Sequence, residues 1–140
     1  MARSAGSSSA EALEQVPLLA ELTKRDRQRL ARSMKERTYE AGREVVVEGR
    51  GGVGFFIIVE GKAAVTIGDR VVRVLGPGDY FGEMALLHGN ERSATVTADT
   101  DLRCLGLTAW NFKQFVTENP SVAWALLQTL ADRLREATAR

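Results

Sequence analysis

The chain has 140 residues, of which 44% are hydrophobic, and a net charge of +1. This length fits one domain with its own core, and the near neutrality gives no broad basic field, so we expect no nucleic-acid binding. One cysteine and one histidine exclude an intramolecular disulfide framework and disfavour a Cys/His zinc site. No apolar run approaches the roughly 18 residues of a membrane span, so we expect a cytoplasmic protein without membrane contact. Arginine outnumbers lysine, which hints at a GC-rich, bacterial genome.

The N-terminus is rich in serine, alanine and glycine over residues 1–9, a composition that predicts disorder. Ser8 lies three residues before Glu11, the spacing of a capping box, so a helix is expected from there. We expect residues 10–140 to form a single domain.

A second helix is predicted over the stretch LTKRDRQRLARSMKE. Thr23 is a suitable cap, Asp26 lies in the first turn where the helix dipole favours an anion, and Leu30 and Met34 share a face. Its arginines and lysines are interpreted as a solvated face.

Short β-type runs separated by glycine follow Arg37. They are REVVVEG, GFFIIVEG, KAAVTI, RVVRVLG, SATVTA and DLRCLGL. Apolar residues alternate before Gly68 and Asp69 and resume after them, which predicts a two-residue hairpin turn. Strands at this spacing indicate an antiparallel barrel or jelly roll.

The pattern returns to helix near the C-terminus. Thr108 can cap one helix, and Pro120 suits the first turn of a final helix. The final helix carries an apolar stripe at spacings of four and three, comprising Ala123, Leu127, Leu130, Leu134 and Ala137. The stripe could pack against the barrel or form a homodimer through a second copy of the last helix. Trp110 and Trp124 are expected to fill a core, with a dimer seam as the alternative for Trp124.

The elements together predict a mainly β fold with flanking helices. The arrangement is an antiparallel β-roll, similar to a jelly roll, with N-terminal helices and two closing C-terminal helices.

The stretch FGEMALLHGNERSATV places two charged side chains among small and apolar residues. A one-turn helix is predicted to start near Gly82 or Glu83. The backbone N–H groups around Met84 and Ala85 would then form an anion-binding terminus, and Gly82 would allow close approach of a ligand.

Arg92 follows the HGN turn and can form a charge-assisted, bidentate contact with a phosphate, to which Ser93 adds an N–H and a hydroxyl group. Glu83 cannot contact phosphate favourably, but its carboxylate can accept hydrogen bonds from ribose hydroxyls. Phosphate beside ribose indicates a nucleotide. The ordinary alternative is a glutamate that favours the helix dipole and an arginine that is solvated or paired with a nearby acid.

The segments FGEMALL and ERSATV resemble the phosphate-binding cassette of the cyclic-nucleotide-binding domain family, which includes catabolite-activator-type regulators and regulatory subunits of cyclic-AMP-dependent kinase. The upstream run EGRGGVGFFIIVEGKAAV and the terminal NPSVAWALLQTLADRL are similar to its strands and closing helices. The resemblance covers roughly Val16 to Thr138.

The resemblance implies that Glu83 accepts the ribose 2′-hydroxyl and that Arg92 neutralises the cyclic phosphate. Backbone N–H groups at Met84 or Ala85 and at Ser93 would complete the site. In the family, serine or alanine after the arginine accompanies cyclic AMP and threonine favours cyclic GMP, so cyclic AMP is the expected ligand, with cyclic GMP as the alternative. Thr138 falls about where the last helix would contact the base.

We expect a binding protein and not an enzyme, because the chain shows no Ser/His/Asp order, separated acid pair or P-loop. His88 is interpreted as a turn residue and Cys104 as a small buried hydrophobe; no cofactor or metal is expected. A ligand-gated switch acting on an unidentified protein effector is the first hypothesis, either as a stand-alone sensor or as part of a larger regulator. A scaffold that retains the fold without binding nucleotide is the alternative.

Overall fold

The computed structural model describes residues 10–46, 54–82 and 94–138. Residues 10–13 are helical, and a 3-10 helix spans Pro17–Leu19; the predicted cap at Ser8 lies outside the described residues. The helices are α1 (Lys24–Ser33), α2 (Ala109–Glu118) and α3 (Pro120–Thr138). The strands are β1 (Lys35–Tyr39), β2 (Glu44–Val46), β3 (Gly54–Glu60), β4 (Ala63–Ile67), β5 (Arg70–Leu75), β6 (Tyr80–Phe81), β7 (Thr95–Ala98) and β8 (Leu102–Thr108).

The strands form two antiparallel sheets. The first sheet has the order β1-β8-β3-β6 and the second has the order β2-β7-β4-β5. The hairpin turn predicted at Gly68 and Asp69 joins β4 to β5, with Gly68 at a φ of +61°. The predicted β-roll with flanking helices is confirmed.

Strand β1 was not predicted from the sequence. The helix predicted over a stretch that runs to Glu36 ends at Ser33, and Lys35–Tyr39 pairs with β8 from Lys35↔Gly106 to Tyr39↔Leu102. Its side chains are mostly exposed, so the strand lacks the alternation that marks a half-buried strand.

Two buried clusters lie on opposite faces of the first sheet. Alternate residues of β3 supply both, since successive strand side chains point to opposite faces. Phe55 and Ile57 join the helix-side cluster, while Phe56 and Ile58 pack in the cluster between the sheets. The helix-side cluster also takes residues from all three helices, including Leu30, Phe112 and Leu126.

The helix caps predicted at Thr23 and Thr108 are confirmed. The Thr23 hydroxyl accepts a hydrogen bond from the Asp26 N–H at 3.1 Å, and the Thr108 hydroxyl accepts one from the Asn111 N–H at 3.1 Å. Helix α3 begins at Pro120, whose fixed φ suits a first turn.

Helix α3 is buried through Val122 and Leu126, so its predicted apolar stripe does not form the main contact with the roll. Leu127 and Leu134 of that stripe are 58% and 65% exposed. The expectation that the two tryptophans fill a core is wrong, because Trp110 and Trp124 are 69% and 64% exposed.

Arg103 ties three strands of the first sheet together. Its guanidinium lies 3.0 Å from the Glu36 carboxylate on β1 and 2.7 Å from that of Glu60 on β3. The hydrogen bond to Glu60 is the largest cause of the raised pKa of Arg103, ahead of the opposing desolvation.

Gly61 closes the tight turn between β3 and β4. Its φ is +93°, and a Cβ atom there would overlap the backbone oxygen of Asp101. The turn is further tied to the β7–β8 connection by the Lys62 N–H, which donates to the Thr100 hydroxyl at 3.0 Å. Only glycine therefore fits this position.

We expect Gly61→Ala to lower the free energy of unfolding by roughly 3 kcal/mol, through backbone strain and a clash with a backbone atom that cannot move aside. Gly68→Ala is the matched control: its φ is also positive, but a Cβ there meets nothing within 4 Å, so only about 1 kcal/mol should be lost. Urea denaturation of both variants measures the difference. Equal losses would contradict the steric explanation.

Candidate functional site

In the sequence, the predicted site residues fall between β6 of the first sheet and β7 of the second sheet. Gly82 is described, whereas Glu83, Met84, Ala85, Arg92 and Ser93 lie outside the described residues, as does His88. The structure therefore defines the two ends of the predicted cassette: β6 and Gly82 before it, and Ala94 and β7 after it.

The first end is held by aromatic packing. Phe81 is 5% exposed and pairs with Phe56 of β3 in the sheet register. The two rings stack with centroids 5.1 Å apart and an interplanar angle of 20°. Because Phe81 is fixed in the cluster between the sheets, the position of Gly82 directly after it is also fixed.

Two glycines make space for the Phe56 ring. A Cβ at Gly54 would lie 2.7 Å from Phe56, and a Cβ at Gly106 would lie 3.1 Å from it. Such separations are too short for ordinary packing, so a side chain at Gly54 would displace the ring that supports Phe81.

Gly82 leaves the strand with a φ of +99°, and it is half-buried. Glycine adopts this conformation without the penalty that a Cβ brings. Gly82 is not helical, so a helix at the predicted site can begin only after it.

The turn before β6 is also fixed by hydrogen bonds. The Asp79 carboxylate accepts one from the Gly76 N–H at 2.8 Å, and Asp79 and Gly78 exchange backbone hydrogen bonds with Ile58 of β3 at 2.8 and 2.9 Å. Gly78 in this turn has a φ of +90°.

The second end of the cassette is strand β7. It lies between β2 and β4, with Val96 and Ala98 almost fully buried. The chain therefore leaves the edge of the first sheet after Phe81 and enters the interior of the second sheet at Thr95.

Helix α3 contacts both sheets near the first end, through residues that the sequence analysis missed. The guanidinium carbon of Arg133 lies 5.8 Å from the centroid of the Tyr80 ring, two residues before Gly82. Arg73 of β5 lies 3.4 Å from the Glu136 carboxylate. We call these the two α3 contacts. Neither gives a sequence signal, because each joins residues that lie far apart in the chain.

A groove of about 580 Å³ lies between the 3-10 helix, the turn before β6 and α3. Both α3 contacts line it, together with Gly78 and Thr129. Within the described ranges there is no cluster of three or more His, Cys, Asp or Glu residues that could hold a metal ion. None of the helices in these ranges is long and apolar enough to cross a membrane.

The family model of the cyclic nucleotide-binding domain matches residues 36–119, which is more than half of the chain. The matched region includes both described ends of the cassette and the whole cassette between them. The chain belongs to the cyclic nucleotide-binding domain family.

The similar proteins include kinase regulatory subunits and cyclic nucleotide-gated potassium channels. A cAMP-dependent protein kinase regulatory subunit of Eremothecium gossypii is 43% identical over 105 residues, which cover 74% of this chain and 23% of that protein. The cAMP-bound structure of PfPKA-R has a TM-score of 0.86 at 27% identity, covering 91% of this chain and 44% of that one. The Thermus thermophilus catabolite activator protein has a TM-score of 0.79 at 32% identity, covering 86% and 59%. The chain thus spans about a quarter of the curated relative and about half of the solved chains.

Cys104 is a nucleophile that this fold removes from solvent. Its side chain is fully buried in the cluster between the sheets, and burial raises the pKa of the thiol to about 12. The expectation of a small buried hydrophobe is confirmed.

We expect the native thiol not to react with Ellman's reagent at about pH 8 and to react once the chain is unfolded. An unfolded cysteine has a pKa of about 8.5, so the unfolded state loses this proton first and stability falls as the pH rises from about 8.5 towards 12. Denaturation across this range should show a smaller fall for Cys104→Ala. Rapid reaction of the native protein with Ellman's reagent would contradict the burial of the Cys104 thiol.

Proposed function

We propose that the chain binds cyclic AMP through Gly82, Glu83, Met84, Ala85, Arg92 and Ser93 and acts as a regulatory sensor. The observation that carries the proposal is the cassette sequence at the connection between the sheets, entered through the φ of +99° at Gly82. Cyclic AMP is then a ligand, not a cofactor, and the domain's role is binding rather than catalysis.

Each proposed contact follows from the chemistry of the ligand. Arg92 offers a charge-assisted pair to the cyclic phosphate, and backbone N–H groups at Met84 or Ala85 and at Ser93 add neutral donors. Glu83 accepts the ribose 2′-hydroxyl. Its carboxylate would repel a second phosphate nearby, which favours a nucleotide with a single phosphate.

Fewer residues bear on the choice of base than on the phosphate and the ribose. Ser93 supports cyclic AMP over cyclic GMP. The Thr138 hydroxyl donates a hydrogen bond to the Leu134 carbonyl at 3.0 Å, so its remaining capacity is as an acceptor. An acceptor suits the exocyclic amino group of adenine, although guanine also carries one, so titration with both nucleotides is needed.

The two α3 contacts support a route from ligand to output. Tyr80 lies three residues before Glu83, and Arg133 lies over its ring. A ligand that draws Glu83 and Arg92 inward would shift the segment after Phe81, and α3 would respond through Arg133. Cyclic AMP would then bias a two-state helix, whose changed surface is recognised by a protein effector.

We expect Arg92→Ala to weaken cyclic AMP binding by about 2 to 4 kcal/mol, or roughly 30- to 1000-fold, because the phosphate loses its main ionic partner. Isothermal titration of nucleotide-stripped protein measures this. Arg70→Ala is the matched control, since Arg70 is an exposed arginine of the hairpin.

Titrations with cyclic GMP and 5′-AMP complete this experiment. Wild-type affinity in Arg92→Ala would overturn the proposed contacts. No binding of any of the three nucleotides to the wild-type chain would leave a scaffold that keeps the fold.

We also propose a homodimer through the last helix. Trp124, Leu127 and Leu134 recur at spacings of three and seven along α3 and are each more than half exposed. This spacing places them on one side of the helix, as in a coiled-coil seam.

We expect Leu127→Gln with Leu134→Gln to shift a dimer towards the monomer, as measured by sedimentation velocity with and without cyclic AMP, because the change removes apolar area from the seam. The control is Val71→Gln with Val74→Gln, two valines of β5 that are each 57% exposed. A wild-type chain that sediments as a monomer under both conditions would rule the dimer out.

A further inference from the structure

Helix α1 concentrates positive charge. It carries five cations and one carboxylate in ten residues, a net charge of +4 in a chain whose net charge is +1. The sequence alone indicates a solvated face, but the arrangement of these charges is costly for the helix itself.

The costs are local and electrostatic. Lys24 and Arg25 lie in the first turn, where the helix dipole disfavours cations. Arg25 and Arg29 are four residues apart and Arg29 and Arg32 are three apart, so like charges are neighbours on the helix surface. Among the described residues, no carboxylate forms an ion pair with these four side chains. A local arrangement that costs stability, with no ion pair to offset it in the described part of the chain, indicates a function.

The cations form one exposed ridge. Arg25, Arg29 and Arg32 are exposed and recur at spacings of four and three, while Leu30 and Ala31 on the other side are buried. Arg27 is excluded from the ridge, because its guanidinium donates to the Leu22 carbonyl. We define the basic ridge as Lys24, Arg25, Arg29 and Arg32.

Carboxylates lie on both sides of the basic ridge. One flanking groove, of about 690 Å³, is lined by Glu11 and Glu14, and the groove on the α2 side is lined by Asp26 and Glu118. A duplex or a bilayer surface would press its phosphates against these acids. A single acidic segment lying along the helix would avoid them.

The chemistry of the ridge agrees with a carboxylate partner. Three of its four cations are arginines, whose planar guanidinium groups bind carboxylates in a bidentate way. The ridge carries no aromatic or aliphatic side chain, since the apolar side of α1 is buried in the helix-side cluster. The ridge therefore offers no apolar side chain that could insert into lipid.

We propose that the basic ridge of α1 is a docking surface for an acidic segment of a protein partner. The helix is about 15 Å long, which matches a segment of some ten residues in a helix or five in a strand. The proposal does not rest on the proposed nucleotide binding, because its residues belong to α1 and not to the cassette.

The test uses a fluorescein-labelled peptide of about twelve glutamates and measures fluorescence anisotropy against the full chain over a range of salt concentrations. Arg25→Glu, Arg29→Glu and Arg32→Glu are combined in one variant. Arg37→Glu, Arg70→Glu and Arg135→Glu form a control of equal net charge, built from exposed arginines elsewhere. We expect at least about tenfold weaker binding in the ridge variant, and a change of less than about threefold in the control.

Circular dichroism and cyclic AMP titration check that both variants fold and keep the cassette. If the charge reversal unfolds the chain, single Arg→Gln changes at positions 25, 29 and 32 replace it, and each should weaken peptide binding. Equal losses in ridge and control variants, or no peptide binding by the wild type, would overturn the proposal. Tighter, ridge-dependent binding of phosphatidylserine vesicles or of a DNA duplex would overturn it in favour of a phosphate surface.

Discussion

The structure depends on strand β3 being buried on both faces. Phe55 and Ile57 pack against the helices, and Phe56 and Ile58 pack between the sheets. A strand with both faces buried cannot slip by one residue without exchanging its two sets of side chains, and both sets are large and apolar. Strand β6 takes its register from β3, so the start of the cassette is placed by the same constraint.

This constraint explains how a site of polar groups can be attached to an apolar roll. Phe81 is anchored by stacking on Phe56, and the next residue, Gly82, turns the chain away at a positive φ. The strands supply rigidity, whereas the residues that we propose as ligand contacts follow them in the chain. Functional groups are commonly carried by connections that a rigid scaffold positions.

The sequence predicted the elements whose signals are local. Alternation and glycine turns indicated β3, β4, β5 and β8, and the threonine caps marked two helix starts. Strand β1 was missed, because Lys35–Tyr39 is polar and follows α1 without a turn residue. The exposure of Trp110 and Trp124 was also missed, since residue type favours burial but cannot show which side of a helix faces the core.

The cassette was recognised by its resemblance to a family, and of its six predicted ligand residues the structure describes Gly82. The α3 contacts depend on the packing of distant segments, which no short pattern encodes.

The anchoring of α3 determines how a ligand could act on it. Its buried apolar side chains, Val122 and Leu126, lie in the first two turns, whereas the later turns meet the sheets through the two α3 contacts. An exposed ion pair such as Arg73 with Glu136 contributes about 0 to 1 kcal/mol, and a cation–π contact at the edge of its range about 0.5 to 1 kcal/mol. Breaking these two contacts therefore costs up to about 2 kcal/mol, apart from the further interactions that Tyr80 and Arg133 make. A ligand that binds the displaced arrangement roughly 30-fold more tightly than the packed one offsets about 2 kcal/mol. Since the first two turns stay packed, the response is expected in the part of α3 that carries Leu134, where a partner could detect it.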